Sequence, residues 1–226
     1  MVERVVRIGR RSVGIAGLAL AMVLGASGCG GDKESSKTEP ASEPVVELTP
    51  STIRAELIKM LYAQEENRNI SDSMVETYGW GSQEATGASR HEHMADSMYM
   101  ARLDSYVQKY GWPGRSIVGD EASLGAFLIV QHASVDFQER YLPMLQEEVE
   151  KNEFGPPWLA MLKDRVRMRR QQPQIYGTQL WNDPSTGDLA LYPIEDSAGV
   201  DARRQEVGLP PLDEYLKQMG VNTVGK

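Results

Sequence analysis

The 226-residue chain has a single cysteine, Cys29, which excludes an internal disulfide framework. It has no run of about 20 apolar residues, so the sequence predicts no membrane-spanning helix. Positive charge is scarce. Lys and Arg number 24 against 32 Asp and Glu, for a net charge of -8. Such an excess repels phosphate backbones and excludes nucleic acid as an expected partner. The chain lacks the G-x-S-x-G, H-E-x-x-H, P-loop and dinucleotide fingerprints, so no familiar motif assigns a chemistry or a cofactor. It also lacks internal repeats. His91 and His93 invite a metal reading, but two histidines two apart on a helix do not share a face, and no metal ligand is assigned.

The little positive charge there is begins at the N-terminus, with Arg4, Arg7, Arg10 and Arg11 against Glu3 alone. Val13 to Leu24 then forms an unbroken apolar and glycine stretch of 12 residues, the length of a signal-peptide hydrophobic region and too short for a span. Leu24-Gly25-Ala26-Ser27-Gly28-Cys29 follows and resembles a lipobox. The expected organisation is therefore a signal peptide over 1–28 and a lipidated Cys29, carrying palmitate-type acyl chains, that tethers the protein to the cell envelope outside the cytoplasm. Each buried methylene contributes about 0.8 kcal/mol, so the two or three chains of a bacterial lipoprotein anchor stably where one would not. Lipidation also removes the liability of an exposed free thiol in an oxidising compartment. Gly30 stands where an Asp would resemble an inner-membrane retention signal, which favours the outer membrane where the cell has one.

Residues 1–28 carry +3, so the remainder stands at -11 against -8 for the whole chain. From Gly30 to about Glu47 the composition is rich in Gly, Ser, Pro, Lys and Glu and reads as a disordered tether, giving a lipidated cysteine plus tether over 29–48. Residues 49–226 are then one domain of ordinary size. Thr49-Pro50 is a helix start, and Ile53, Leu57, Met60 and Leu61 recur on one face of a helix expected to reach about Asn67. Asn69 to Ala88 shows no sustained period and reads as an irregular insertion.

A second helix is expected from about His91 to Tyr110, with Met94, Met98, Leu103 and Val107 inward and Gly111-Trp112-Pro113 as its stop. A third is expected from Asp120 to about Tyr141, a fourth from Pro143 to near Glu153, and a short one after Gly155-Pro156-Pro157. Gln174–Trp181 and Leu189–Tyr192, joined by the turn residues Asn182 to Gly187, read as a hairpin, and two short helices over about Asp201–Glu206 and Leu212–Met219 close the chain. The expected class is mainly α: an irregular domain of about six helices with one small β-hairpin.

Four polar-dense segments are the candidate functional positions. They are Gln131-His132-Ala133-Ser134-Val135-Asp136-Phe137-Gln138, Lys163-Asp164-Arg165, Gln174-Ile175-Tyr176-Gly177-Thr178-Gln179 and Asp201-Ala202-Arg203-Arg204. On one continuous helix His132 and Asp136 would share a face, the carboxylate orienting the imidazole. His132, Asp136, Asp164 and Arg165 are thus catalytic candidates. Gln131, Gln138, Gln174, Tyr176, Thr178, Gln179, Arg203 and Arg204 are ligand-binding candidates. Each also has a purely structural reading, as hydrogen-bonding groups within the core.

Together with Gly111-Trp112-Pro113 and Gly208-Leu209-x-Pro211-Leu212-x-x-Tyr215, these segments resemble the bacterial domain-of-unknown-function family 6624, with QxYGTQ the most specific match. The resemblance implies a shared fold and brings no activity. Three functions stand open. One is an envelope binding module holding a small molecule, glycan or peptide. The second is a hydrolase or transferase with His132 as general base and Arg165 or Arg203 holding an anion. The third is a metal site from His132, Asp136 and Asp164.

Overall fold

The computed structural model describes residues 48–182 and 188–221. The signal segment, Cys29, the tether and most of the hairpin turn lie outside the described residues. Eight helices and one two-stranded antiparallel sheet are seen among them: α1 (Pro50–Tyr78), α2 (Gln83–Tyr110), α3 (Arg115–Val118), α4 (Asp120–His132), α5 (Val135–Glu150), α6 (Pro156–Arg169), β1 (Leu180–Asn182), β2 (Leu189–Leu191), α7 (Val200–Glu206) and α8 (Leu212–Met219). The expected mainly helical class with one hairpin holds. Among the described residues no helix is long and apolar enough to cross a membrane.

The start of α1 follows from Thr49. Its side chain accepts from the Thr52 amide while the Thr52 side chain takes the Thr49 amide, and Pro50 supplies a pre-set first turn. Ile53, Leu57, Met60 and Leu61 are buried as their spacing predicts. They pack on α4, which is the centre of the domain: every residue from Ala122 to Gln131 is buried. A helix enclosed on all sides carries no polar stripe, which is why this one reads as apolar throughout. Around it Phe127 stacks on Trp158 at 5.4 Å between centroids, and Phe154 meets both Trp112 and Trp158 edge-on. Arg102 of α2 reaches Glu56 of α1 through Nε and Nη2 at 2.8 and 2.9 Å, a two-pronged pair that fixes the two long helices against each other.

Several expected boundaries are corrected. The stretch Asn69–Ala88 is not an irregular insertion but the tip of a helical hairpin. α1 continues to Tyr78, Gly79 to Ser82 turn the chain, and the Ser82 side chain caps α2 by accepting from Ala85. The period fails there because few of these side chains are buried, not because the backbone is irregular. Met94 and Met98 are likewise exposed instead of inward. The third helix does not run to Tyr141. It ends at His132, Ala133 is extended, and the Ser134 side chain caps α5 by accepting from Phe137. Pro143 does not open a helix but lies inside α5. Of the expected first strand only Leu180 and Trp181 are strand, which extends to Asn182 and pairs Leu180 with Leu191 and Trp181 with Ala190.

Gly125 marks where α4 crosses α1. A Cβ placed there would lie 2.7 Å from the carbonyl oxygen of Leu57, a backbone atom that cannot move aside cheaply. Gly125→Ala is therefore expected to destabilise the fold by about 1–3 kcal/mol, the usual range for overpacking, although alanine has the better helix propensity. Urea denaturation checks this, and a variant as stable as the parent would show that the crossing is not close.

Candidate functional site

Asp164 lies on the buried face of α6 and is fully enclosed. Its carboxylate accepts from the amides of Ile175 (2.7 Å), Tyr176 (3.1 Å) and Thr178 (3.0 Å) and from the Thr178 hydroxyl (2.9 Å). The opposite side of the same segment faces cations and a phenol. Arg203 Nε donates to the Ile175 carbonyl, Arg204 Nη1 to those of Tyr176 and Gly177, and the Tyr215 hydroxyl to that of Thr178. An irregular segment inside a protein must have its amides and carbonyls paired by something other than a helix or sheet. Here one acid takes the amides and two arginines take the carbonyls.

Gln174 and Gln179 belong to the same network. Gln174 Nε2 donates to the carbonyls of Gln179 and Tyr192, and its Oε1 accepts from the Gln179 amide at 2.8 Å. Gln179 Nε2 reaches the Thr178 hydroxyl at 3.1 Å. Gly177 turns the segment with φ +69°, and a Cβ there would meet Leu212 Cδ1 at 2.9 Å and Ile194 Cδ1 at 3.0 Å. The most specific motif of the sequence, QxYGTQ, is accordingly a self-bonded loop, with Gly required for both its backbone and its space.

The next residue of α6 faces elsewhere. Arg165 is half-buried, its Nε is closed off from solvent without a partner, and among the described residues it makes no hydrogen bond or ion pair. Burial pushes its guanidinium down to about 10, with help from the charges of Arg169 and Arg68, so it is still a cation at neutral pH. His132 ends α4 beside it. Its Nδ1 is also closed off and unpartnered. Burial, then the charges of Arg68, Arg165 and Arg169, hold His132 well below its ordinary value, so it is a neutral imidazole at pH 7. Arg169 donates to the Ala133 carbonyl just past the end of α4. Arg68 of α1 pairs with Asp96 of α2 at 3.1 Å, and Asp96 also accepts from Gln64 at 3.1 Å. The charges of three guanidinium groups from two helices thus act on one imidazole.

The seven positions His132, Asp136, Asp164, Arg165, Gln174, Tyr176 and Gln179 consequently divide. Asp164, Gln174, Tyr176 and Gln179 bond within the loop, together with Thr178, Arg203 and Arg204. His132 and Arg165 belong to the cationic cluster. Asp136 is highly exposed and bonded to Arg170, because the chain breaks between it and His132 and the two do not share a helix face. Gln138 Nε2 bridges that break by donating to the Gln131 carbonyl at 2.7 Å. No group of three His, Cys, Asp or Glu side chains stands as metal ligands would among the described residues, and His91 and His93 are exposed on α2. Sequence reasoning missed Arg68 and Arg169 as members of the cluster. The signal was present for Arg169, one of four arginines between 165 and 170 in an acidic chain. For Arg68 it was not, since only the helix crossing brings it near His132.

If the loop clamp is structural, Asp164→Ala leaves four donors without their acceptor and is expected to destabilise by about 3 kcal/mol or more. Asp136→Ala, at an exposed ion pair, is expected to change stability by less than about 1 kcal/mol. Chemical denaturation of both variants measures the contrast, and equal effects would refute the division made here.

No curated protein and no solved structure matches the chain. A family model does, over residues 52–223, which takes in both the loop clamp and the arginine–histidine cluster. With three-quarters of its length matched, the chain belongs to the family of unknown function DUF6624.

Proposed function

We propose that this protein is a lipid-anchored binding module of the cell envelope whose helical domain holds a small anionic ligand at His132, Arg165 and Arg169, beside the Arg68–Asp96 pair. The observation that carries the reading is Arg165, a half-buried cation that among the described residues has no carboxylate or carbonyl to receive it. Isolated buried charge is costly, and proteins keep it where a ligand of opposite sign completes it. The planar guanidinium suits carboxylate, phosphate or sulfate groups, which it meets with two parallel hydrogen bonds. A general-base reading has less support, because His132 is hydrogen-bonded to no carboxylate that would orient it and Asp136 is paired elsewhere. The address rests on the sequence features around Cys29.

Sulfate is a suitable probe because it stays dianionic across the pH range in which histidine titrates. It is expected to raise Tm by a few degrees beyond the effect of sodium chloride at equal ionic strength, and Arg165→Gln is expected to abolish that excess. Without sulfate the same variant should be at least as stable as the parent, since it removes an uncompensated charge. A bound anion offsets the three arginine charges and favours protonated His132. Binding is therefore linked to proton uptake, and the sulfate shift should grow as pH falls from 7.5 to 5.5 and stop growing in His132→Gln. A parent protein indifferent to sulfate, or an Arg165→Gln variant that is simply destabilised, would return Arg165 to a structural role.

The anchor has its own test. Cys29→Ser is expected to lose incorporated palmitate label and to leave the membrane fraction for the soluble one, whereas an unmodified wild-type cysteine in a soluble protein would end the lipoprotein reading.

A further inference from the structure

Between Leu61 and Tyr99 the two long helices contribute no residue to the core cluster. Residues 62–98 form a projecting arm, each limb about 25 Å long at 1.5 Å per residue. The seam of this arm is largely polar. Gln64 and Arg68 on α1 both bond Asp96 on α2, Arg68 also faces Glu92 at 3.6 Å, and Gln64 Oε1 and Ser71 Oγ are buried without partners. Two helices joined by so little apolar contact are poorly supported by their own packing.

The arm nevertheless carries large apolar side chains on its outside. Ile70, Tyr78, Trp80, Met94 and Met98 are exposed, Trp80 at 92% and Met98 at 69%. They are not scattered. Trp80, Met94 and Met98 line a groove of about 780 Å³ together with small residues, among them Ser71, Ala85 and Ser89. Methionine is unbranched and polarisable and packs against varied surfaces, which makes Met-lined grooves suited to an inserted helix.

Charge decides what kind of helix. Residues 62–98 hold seven acids, Glu65, Glu66, Asp72, Glu76, Glu84, Glu92 and Asp96, against two bases, Arg68 and Arg90. Arg68 is already committed to Asp96 and Glu92, and Arg90 is the one base in the groove lining, which also holds the acids Asp72 and Glu92. Asp72, which lines the groove, has no ion pair or hydrogen bond among the described residues, and desolvation followed by the nearby charges of Glu92 and Glu76 raises its carboxyl above the ordinary value. A second copy would bring seven more acids to the same place, and an anionic lipid surface would be repelled in the same way.

We propose that this groove is the docking surface for a cationic amphipathic helix of a partner protein. Its apolar side chains enter between Trp80, Met94 and Met98, and its Lys or Arg side chains face Asp72 in the lining and Glu76 beside it. The surface meets the anion site only at the Arg68–Glu92 pair and carries the opposite charge.

The test uses the full chain and a synthetic amphipathic helix of about 14 residues built from Leu and Lys, with a Leu and Glu peptide of the same pattern as control. Titration followed by anisotropy of the labelled peptide should show the Lys peptide binding at least about ten-fold more tightly. Tryptophan emission should shift to the blue on binding, and Trp80→Phe should remove that shift. Met94→Gln with Met98→Gln should weaken binding about ten-fold without altering charge, and Asp72→Asn should weaken it several-fold. Glu147→Gln, an exposed acid on α5, should leave it unchanged. Far-ultraviolet circular dichroism confirms that each variant remains helical. Equal affinity for the two peptides overturns the proposal, as does binding that ignores the methionine substitutions and so reflects net charge alone. A dimer of the parent that dissociates in Met98→Gln also overturns it, since the face would then be covered by a second copy.

Discussion

Asp164 and Arg204 clamp one irregular segment from its two sides, and the C-terminal third of the domain depends on that clamp. Neither charge is paired with the other directly. The peptide groups of Ile175 to Thr178 lie between them, amides toward the acid and carbonyls toward the guanidinium. This arrangement desolvates both ions and compensates them with charge-assisted hydrogen bonds, fully for Asp164 and through Nε and Nη1 for Arg204, whose Nη2 is buried without a partner among the described residues. The segment in turn positions the small sheet through Gln174 and the last helix through Tyr215, whose ring lies 5.0 Å from the Arg204 guanidinium. Loss of the acid would free not one contact but the path of the chain from Gln174 to Leu212.

Asp164 and Arg165 are neighbours, yet their surroundings are opposite. Successive residues on a helix point about 100° apart, so α6 sends the acid into a fully satisfied loop and the base into a cluster of like charge. The first arrangement is what a stable interior requires. The second opposes stability, since the charges of Arg68 and Arg169 act against Arg165, and all three act against any proton on His132. A fold that satisfies its buried acid so fully and leaves the adjacent base unsatisfied separates its scaffold from its candidate site within two residues.

The helical arm shows the same separation at a larger scale. The half of α1 that packs on α4 is apolar on its inner face and anchored to α2 by Glu56 and Arg102. The distal half is acidic, polar at its seam and apolar only on parts of its outer surface. Stability is thus concentrated around α4 and the aromatic group of Trp112, Phe127, Phe154 and Trp158, while the exposed chemistry lies on elements that this core does not need.

The sequence by itself determined the features that depend on near neighbours. Thr49-Pro50 starts a helix, Gly111 ends one, the apolar period of Ile53 to Leu61 finds the core, and the turn-rich stretch after Trp181 marks a hairpin, because capping, propensity and periodicity act over a few residues. The same reasoning read the arm as irregular, since periodicity reports burial and the arm has little of it. It joined His132 to Asp136 because nothing local outweighed the run of helix formers, whereas the Ser134 cap and the packing of α5 broke the helix between them. Which polar residues serve the fold and which stand free was decided only by tertiary structure. Asp164 finds its donors 11 to 14 residues away, and Arg68 finds His132 only where α1 passes the end of α4. A sequence names the charges; the crossing of helices decides which of them meet.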